Sequence, residues 1–413
     1  MSSEDSPKRR YLESGDPRLF RLSFLLDPRF VLARLRSIRS RDELRRRAAD
    51  LLVLLRLRAH PAARRLWEWR ADRALDAKLE RARRRAAGAA PSARVAAPAP
   101  NPPHPLETNA PCAVHLSWNI HIACNYDCVY CFFHGAWDSF APDNRYLSPE
   151  EWIGHWRRFN ARHGAARVDI AGGEPFTYPG FVKILADLAA RNVVVVSTNL
   201  CWDPAVLIGR VPAGRVEIAA SFHPEYVPRP DAFIGKIEAL RRAGFHANVS
   251  MVAYPSFLSG FPALLDAFAR RGIGVGVQPF RGRLEGRLYP EAYTPKAKAY
   301  LDGVIRGGGE RPAVEKPAAG APSPSSRVDP ALVVDYQLER ASTRGKPCNA
   351  GRLYGRLQSN GDVTRCAQGV KVGSFFDESF AFWDRPKPCP FAHCDCINEI
   401  LYVEGGPLGP RPS

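Results

Sequence analysis

The stretch Cys124-Asn-Tyr-Asp-Cys128-Val-Tyr130-Cys131 places three cysteines in the spacing C-x3-C-x2-C, directly after a strand-like run that ends at Ile122. Three thiolates this close together can ligate three irons of a 4Fe–4S cube and leave the fourth iron without a protein ligand. A structural zinc ion would need a second cysteine pair nearby, and the sequence offers none there. The spacing therefore predicts an iron–sulfur centre on a loop that follows a strand.

The ten cysteines of this 413-residue chain are expected to be reduced. The N-terminal residues contain neither the apolar core nor the small-residue cleavage site of a secretory signal. No segment approaches the roughly 18 uncharged apolar residues of a membrane-spanning helix. We therefore expect a cytoplasmic protein that uses cysteines for metal ligation, with a location peripheral to the membrane as the alternative.

Downstream of the cysteine motif, strand-like and helix-like segments alternate, which predicts an α/β fold with a parallel sheet. A helix is predicted to begin at Ser148, an N-cap residue that is followed by proline. Further helices are predicted near residues 179–191, 231–243 and 261–271. Strands are predicted near residues 113–122, 167–171, 193–197, 216–221, 247–252 and 275–279.

The cysteine motif and the six β/α units resemble the radical S-adenosylmethionine (SAM) superfamily. In that family C-x3-C-x2-C holds a 4Fe–4S cluster, and the amine and carboxylate of SAM chelate the open iron. The resemblance implies a partial (β/α)6 TIM-like barrel, with its site at the C-terminal ends of the strands. It also implies reductive cleavage of SAM to a 5′-deoxyadenosyl radical that abstracts a substrate hydrogen, and a reductant such as flavodoxin or ferredoxin.

Residues at the predicted strand ends match further parts of the family pattern. Gly172-Gly-Glu174-Pro matches the GGEP motif, in which Glu174 would offer its carboxylate to the SAM ammonium group. The two glycines would let the backbone approach a ligand without a β-carbon in the way. By this resemblance the cofactor-binding residues are Tyr130, Gly172, Gly173, Glu174, Ser197, Asn199, Ser221 and Gln278.

Candidate substrate-contacting residues follow the fourth and sixth predicted strands. A radical oxidation or rearrangement often needs a base near the radical carbon. Relatives with auxiliary clusters oxidise alcohols or epimerise or crosslink peptides, so an oxidation, epimerisation or related modification of an unknown substrate is expected. The catalytic candidates are His223, Glu225, Tyr226 and Arg281, with Arg283 beside them.

A second cysteine group lies near the C-terminus. Twelve residues separate Cys348 from Gly361 and four separate Gly361 from Cys366, which resembles the opening of SPASM and twitch auxiliary-cluster domains. The Asn360-Gly361 pair predicts the turn of a β-hairpin. The resemblance implies a second 4Fe–4S cluster held by four of five thiols, with a zinc ion bound by four thiolates as the alternative. Two of the four ligands would come from Cys389, Cys394 and Cys396, and which two is left open.

The positive charge is concentrated in residues 1–95, where 25 Lys+Arg face 12 Asp+Glu, a surplus of +13 out of the net +17 of the whole chain. This basic segment is predicted to be helical. It could be a solvated cap, or it could dock on a membrane surface or an acidic partner; nucleic acid is the less favoured partner.

Five regions are predicted along the chain. They are a basic helical segment (1–95), a linker (96–111), the partial barrel (112–300), a flexible linker (301–330) and an auxiliary-cluster domain (331–413). The alternative function is a non-catalytic Fe–S or zinc scaffold whose basic arm binds nucleic acid or a membrane surface. Three cluster cysteines, the GGE motif and six strand units together favour the enzyme.

Overall fold

The computed structural model describes residues 99–404, with gaps, and the isolated residues 73, 77 and 80. The gaps are 135–136, 228, 285, 308–341, 368, 378, 393 and 395. The predicted basic helical segment and most of the predicted linker at 301–330 therefore lie outside the described residues. The chain divides into two compact units, Met1–Asp76 and Ala77–Ser413, and the strands and helices below belong to the second.

Helices separate most of the strands in the first part of the described chain, whereas the last five strands follow one another without an α-helix between them. The strands are β1 (Val114–His121), β2 (Ala166–Gly172), β3 (Val193–Thr198), β4 (Val216–Ser221), β5 (His246–Ala253), β6 (Val275–Pro279), β7 (Gly282–Leu284), β8 (Arg287–Tyr289), β9 (Pro347–Cys348), β10 (Tyr354–Leu357), β11 (Asp362–Thr364), β12 (Lys371–Ser374) and β13 (Lys387–Pro388). The helices are α1 (Pro105–Thr108), α2 (Trp137–Phe140), α3 (Pro149–His163), α4 (Phe181–Ala189), α5 (Asp231–Arg242), α6 (Phe261–Ala269), α7 (Pro295–Gly307) and α8 (Ile397–Ile400).

Nine of these strands form one open sheet in the order β12-β11-β10-β1-β2-β3-β4-β5-β6. Strands β1 to β6 are parallel to their neighbours, and β10 adds to the other edge of β1, also in parallel. Strands β11 and β12 then continue the sheet in antiparallel fashion. The prediction of an α/β fold with a partial barrel is confirmed. The hairpin formed by β10 and β11 therefore extends the same sheet whose first strand leads into the cysteine loop, residues 124–131.

Strand β1 shows how the sequence separates the two faces of the sheet. Leu116, Trp118 and Ile120 point to one face and are fully buried, and Trp118 packs 4.6 Å from the ring of Trp152 on α3. The intervening residues on the other face are polar, as the period-two alternation of a strand requires. On β1 the apolar side chains thus pack between the sheet and its helices, and the polar side chains lie on the opposite face.

Helix α3 begins where the sequence predicts it. Ser148 caps the helix, and Glu151 returns its carboxylate to the Ser148 backbone N–H at 2.7 Å, which completes a capping box. Trp152, Trp156 and Phe159 recur at helical spacing and are buried. Within the described residues, no helix has both the length and the apolar character needed to cross a membrane.

Candidate active site

The cysteine loop begins three residues after β1 ends. Cys131 N donates to Cys128 O at 2.9 Å, which folds the end of the motif into a tight turn. Two thiols accept main-chain hydrogen bonds, Cys124 from Tyr126 N and Cys131 from Phe133 N, each at 3.4 Å. Burial raises the pKa of all three thiols, so a bound cation is needed to hold them as thiolates near neutral pH.

Gly172 and Gly173 lie against the backbone that leads into the cysteine loop. A β-carbon on Gly173 would stand 1.8 Å from Ala123 O, and one on Gly172, where φ is +119°, would stand 2.2 Å from His121 O. Gly173 N donates to His121 O at 2.8 Å, and Glu174 N donates to Ala123 O at 2.9 Å. The glycines therefore permit β2 to dock onto the start of the loop, which is a different contact from the ligand approach that we expected.

The carboxylate of Glu174 is 1% exposed and is held at the end of β3. It accepts hydrogen bonds from Thr198 Oγ1 at 2.8 Å, Asn199 N at 2.7 Å and Phe176 N at 3.2 Å. Burial raises its pKa above the ordinary range although these donors favour the charged form. Two oxygens offer about four acceptor positions, so three donors leave room for one more.

Asn199 connects β3 to the cysteine loop. Its Nδ2 donates to Asn125 Oδ1 at 2.8 Å and lies 3.9 Å from Cys124 Sγ. The next residue, Leu200, has a φ of +54°, which is uncommon for a residue with a side chain, and its N–H donates to Thr198 Oγ1. Sequence reasoning missed Thr198 and Asn125, because the motif comparison singled out their neighbours.

The predicted catalytic residues after β4 contact the cysteine loop. His223 Nδ1 lies 2.9 Å from the Tyr130 hydroxyl and 3.3 Å from Cys128 Sγ. The Tyr226 hydroxyl accepts from Asp127 N at 2.7 Å, and its ring stacks on Tyr126 with centroids 4.0 Å apart. The loop after β4 thus covers one side of the cysteine loop.

The two titratable residues His223 and Glu225 of that group have different electrostatic surroundings. Burial lowers the pKa of His223 to about 4, so its imidazole is neutral at pH 7. Glu225 is an exposed residue whose carboxyl group lies beside Cys128. Partial burial raises the pKa of this carboxyl group, although its hydrogen bonds favour the charged form. Tyr130, one of the predicted cofactor-binding residues, is 7% exposed and stacks on His223 with ring centroids 5.9 Å apart.

The remaining predicted residues lie near the carboxyl ends of their strands. Ser197 and Ser221 are half-buried, and Gln278, the fourth residue of β6, is exposed. Arg281 lies between β6 and β7. Their positions suit a site at the carboxyl edge of the sheet. Asn199 and Glu174 lie at the same edge and hydrogen-bond to the cysteine loop or to the residue before it.

Four of the five C-terminal cysteines line one pocket. They are Cys348, Cys366, Cys389 and Cys394. Cys396 is not among the residues that line it. Among the described residues, no three cysteine sulfurs all lie within 4.8 Å of one another, whereas a tetrahedral zinc site with 2.3 Å bonds would space them about 3.8 Å apart.

Arg365 borders the same pocket and was missed by sequence reasoning. Its side chain is 5% exposed and donates to three backbone carbonyls, Ala350 O at 3.0 Å, Pro388 O at 3.1 Å and Lys387 O at 2.9 Å. A buried cation is costly without an anion nearby. Its position beside four thiols therefore suits a site that carries negative charge when occupied.

Residues 399–402, which follow these cysteines, contact polar side chains on strands β1 and β10. The Tyr402 hydroxyl lies 2.8 Å from His115 Nδ1 on β1. Glu399 accepts from Arg356 Nη2 at 3.1 Å and from the Tyr354 hydroxyl at 3.2 Å, both on β10. The C-terminal cysteines and the barrel are thus joined by buried polar contacts.

A further group of ligand-type side chains lies at the amino ends of the strands. His104, Glu217 and His246 have potential ligand atoms all within 4.8 Å of one another. His104 Nδ1 accepts from Leu106 N, so the ring proton sits on Nε2 and is donated to Glu217 Oε2 at 2.6 Å. A metal ion would have to displace that proton. The group is therefore explained as a hydrogen-bonded contact that fixes residues 99–109 under β4 and β5.

Comparison with known proteins identifies the family. Residues 118–256 match the model of the Radical SAM superfamily. The chain therefore contains a radical SAM domain over residues 118–256. Members of that superfamily are enzymes, and the match implies a 4Fe–4S cluster and SAM. The family prediction is confirmed. No curated protein shows significant sequence similarity to this chain.

Several solved structures resemble the chain distantly. A structure titled native anSMEcpe with bound AdoMet is 14% identical, with a TM-score of 0.43, covering 70% of this chain and 80% of that one. Streptococcus suis SuiB bound to S-adenosylmethionine is 16% identical, with a TM-score of 0.42 and 65% of each chain covered. BtrN in complex with AdoMet and 2-DOIA is 11% identical, with a TM-score of 0.30, covering 64% and 79%. Similarities this distant carry no argument about substrate.

Proposed function

We propose that this chain is a radical SAM enzyme whose cluster is held by Cys124, Cys128 and Cys131. The observation that carries the proposal is the convergence of the cysteine loop with the end of β2, where Glu174 N donates to Ala123 O directly before Cys124. Three thiols on one loop fit three irons of a 4Fe–4S cube; two of them accept main-chain hydrogen bonds, and the third lies 3.3 Å from the His223 imidazole. A reduced cluster bound there would supply the electron that breaks a carbon–sulfur bond of SAM, so that a 5′-deoxyadenosyl radical abstracts a substrate hydrogen.

The chain's own residues would hold and orient SAM. Glu174 has one acceptor position left after its three hydrogen bonds, and we assign it to the SAM ammonium group. Thr198 and the Asn199 N–H keep that carboxylate in place. Further cofactor contacts are proposed for Tyr130, Gly172, Gly173, Ser197, Asn199, Ser221 and Gln278.

The reaction on the substrate is proposed to be an oxidation, epimerisation or related modification. The contacts of His223 and Tyr226 with the cysteine loop support a role in shaping the cluster site. Glu225 and Arg281 remain our candidates for proton transfer and substrate contact, because one is exposed and the other leaves the carboxyl end of β6. A flavodoxin or ferredoxin is the proposed source of electrons.

We further propose that the second cluster is bound by Cys348, Cys366, Cys389 and Cys394. Their shared pocket and the adjacent buried Arg365 guanidinium support this set. A single zinc ion held by the same four thiolates is the alternative. Such a cluster could accept the electron left on an oxidised substrate radical or hold the substrate in place.

Anaerobic reconstitution with iron and sulfide tests the proposal. The protein should bind about eight irons, about four at each site, and form 5′-deoxyadenosine from SAM with a strong reductant. Replacing Cys124, Cys128 and Cys131 together by Ala should remove about half of the iron and all 5′-deoxyadenosine. A wild-type protein that binds only zinc would exclude the radical enzyme and leave the scaffold alternative.

A further inference from the structure

The three thiols of the cysteine loop differ in the source of their hydrogen bonds. Cys124 and Cys131 accept from main-chain N–H groups of residues two positions further along the loop, each at 3.4 Å. Cys128 instead lies 3.3 Å from the imidazole of His223, which comes from the loop after β4. Two other side chains approach these sulfurs: Asn199 Nδ2 lies 3.9 Å from Cys124 Sγ, and the Glu225 carboxyl group lies against Cys128.

The position of His223 is fixed by its surroundings. Phe222 N donates to Ser250 O at 2.8 Å, which continues the pairing of β4 with β5. Tyr226 N and Val227 N both donate to the His223 carbonyl, so the residue opens a tight turn. Its ring stacks on Tyr130 at an interplanar angle of 11° and meets the edge of Tyr126 at 81°. The imidazole is therefore held against Cys128 by packing on both sides.

The proton arrangement follows from the chemistry of a thiolate, which can only accept a hydrogen bond. His223 Nδ1, the Tyr130 hydroxyl and Cys128 Sγ lie close to one another. The hydrogens available to this group are that of the Tyr130 hydroxyl and, if Nδ1 is protonated, that of the imidazole. If Nδ1 lacked a proton, its lone pair would face the thiolate at 3.3 Å. With Nδ1 protonated, either His223 donates to the sulfur directly or it donates to Tyr130, whose hydroxyl then points at the sulfur.

We propose that His223, acting with the Tyr130 hydroxyl, is a positioning residue that hydrogen-bonds the Cys128 thiolate and thereby raises the reduction potential of the cluster. The inference rests on the proposed function, because it requires a cluster at Cys124, Cys128 and Cys131. Hydrogen bonds to ligand sulfurs are one of the means by which proteins set cluster potentials. Reduction adds negative charge to the cluster, so a donor to sulfur stabilises the reduced state more than the oxidised state.

A redox titration followed by electron paramagnetic resonance tests this role. The signal to follow is the one that changes on addition of SAM, which separates this cluster from the auxiliary one. His223→Ala and Tyr130→Phe should each shift its midpoint to more negative values. A tenfold loss in the equilibrium constant for reduction corresponds to about 59 mV for one electron. His223→Gln, which keeps an N–H donor, should recover part of the shift.

His134→Ala is the matched control. His134 lies on the same loop, but its Nδ1 pairs with Asp127 Oδ1 at 3.0 Å, and its main-chain bond to Cys131 O survives substitution. The midpoint potential of the His134→Ala cluster should equal that of the wild type. An unchanged midpoint in His223→Ala at full iron content would overturn the inference, as would a shift in Tyr130→Phe alone. If His223→Ala loses iron, the midpoint potentials of His223→Gln and Tyr130→Phe decide whether the inference holds. The absence of any SAM-sensitive signal in the wild type would instead refute the proposed function.

Discussion

The side-chain amide of Asn398 donates to Asp169 Oδ2 at 2.7 Å, and this bond joins the C-terminal cysteine segment to β2 of the barrel. Asn398 lies two residues after Cys396 on α8, whereas Asp169 is a buried residue in the middle of β2. Arg167 donates to the same carboxylate through two nitrogens, at 2.7 and 2.9 Å. Burial alone would raise the pKa of Asp169, but Arg167 and His115 outweigh it and hold the pKa well below its usual range. The carboxylate is therefore charged at neutral pH.

Asn398→Asp should destabilise the protein more than Asn398→Ala does. The alanine variant loses one hydrogen bond to a charged group, which costs about 1.5–3 kcal/mol. The aspartate variant has nearly the same shape but places a second carboxylate against the buried charge of Asp169. Urea unfolding at pH 7.5 measures both free energies of unfolding. Equal stabilities in the two variants would show that the Asn398–Asp169 contact does not persist in solution.

Cys394→Ala and Cys396→Ala should differ in iron content. Cys394 lines the pocket with three other cysteines, so its loss should remove the auxiliary cluster and about half of the iron. Cys396 is not among the residues that line the pocket, so its replacement should leave about eight irons. Iron and sulfide analysis of the reconstituted variants gives the answer. The reverse pattern would assign Cys396 as the ligand in place of Cys394.

Gly173→Ala should prevent assembly of the cofactor site. The added β-carbon would stand 1.8 Å from the Ala123 carbonyl oxygen, so β2 and the start of the cysteine loop must separate. Loss of iron at the first site and of 5′-deoxyadenosine formation is expected. Gly235→Ala is the control, because Gly235 lies within α5 with nothing near its β-carbon position. That variant should be stabilised by about 0.5–1 kcal/mol. Intact iron binding in Gly173→Ala would contradict the close packing described here.

The parallel sheet could be predicted from the sequence because runs of β-branched residues such as Val193–Val196 alternate with amphipathic helices. Strand β4 was predicted with its observed bounds, Val216–Ser221. The approach of His223 to Cys128 could not be predicted, because the two residues are 95 positions apart in the sequence and the contact depends on how two loops pack. The choice among the last three cysteines likewise depends on the path of residues 388–396. The glycine motif was recognised, but its contact with the His121 and Ala123 carbonyls required the structure.

Stability should fall as the pH is lowered from about 6.5, in part because of His121. This residue is 1% exposed, and burial lowers its pKa although its ring donates to the Glu174 carbonyl at 2.9 Å. A histidine with a lowered pKa is neutral in the folded state, so protonation favours the unfolded state once the pH falls below its ordinary value. The stability is lost between about pH 6.5 and the folded pKa, by up to about 1.4 kcal/mol per pH unit.

His121→Gln keeps a donor for the Glu174 carbonyl but cannot titrate. Its free energy of unfolding should change less than that of the wild type between pH 6.5 and 5.5, while the two slopes coincide above pH 7.5. Urea unfolding across this range measures both slopes. Identical slopes throughout would show that the His121 ring is protonated as readily in the folded protein as in the unfolded chain.

Two truncations should separate the basic N-terminal segment from the barrel. Removing residues 1–95 takes away +13 of charge and none of the proposed ligands, so SAM cleavage should persist while any binding to anionic vesicles or nucleic acid falls.

Removing residues 1–104 also deletes Asn101 and His104. His104 Nε2 donates to the buried Glu217 carboxylate at 2.6 Å. Leaving that carboxylate with fewer donors should cost a further 1–3 kcal/mol or so in unfolding free energy. Vesicle sedimentation, 5′-deoxyadenosine yield and urea unfolding distinguish the effects of the two truncations. If the shorter truncation already abolishes cluster assembly, the basic segment is part of the barrel's packing and the boundary at residue 95 is wrong.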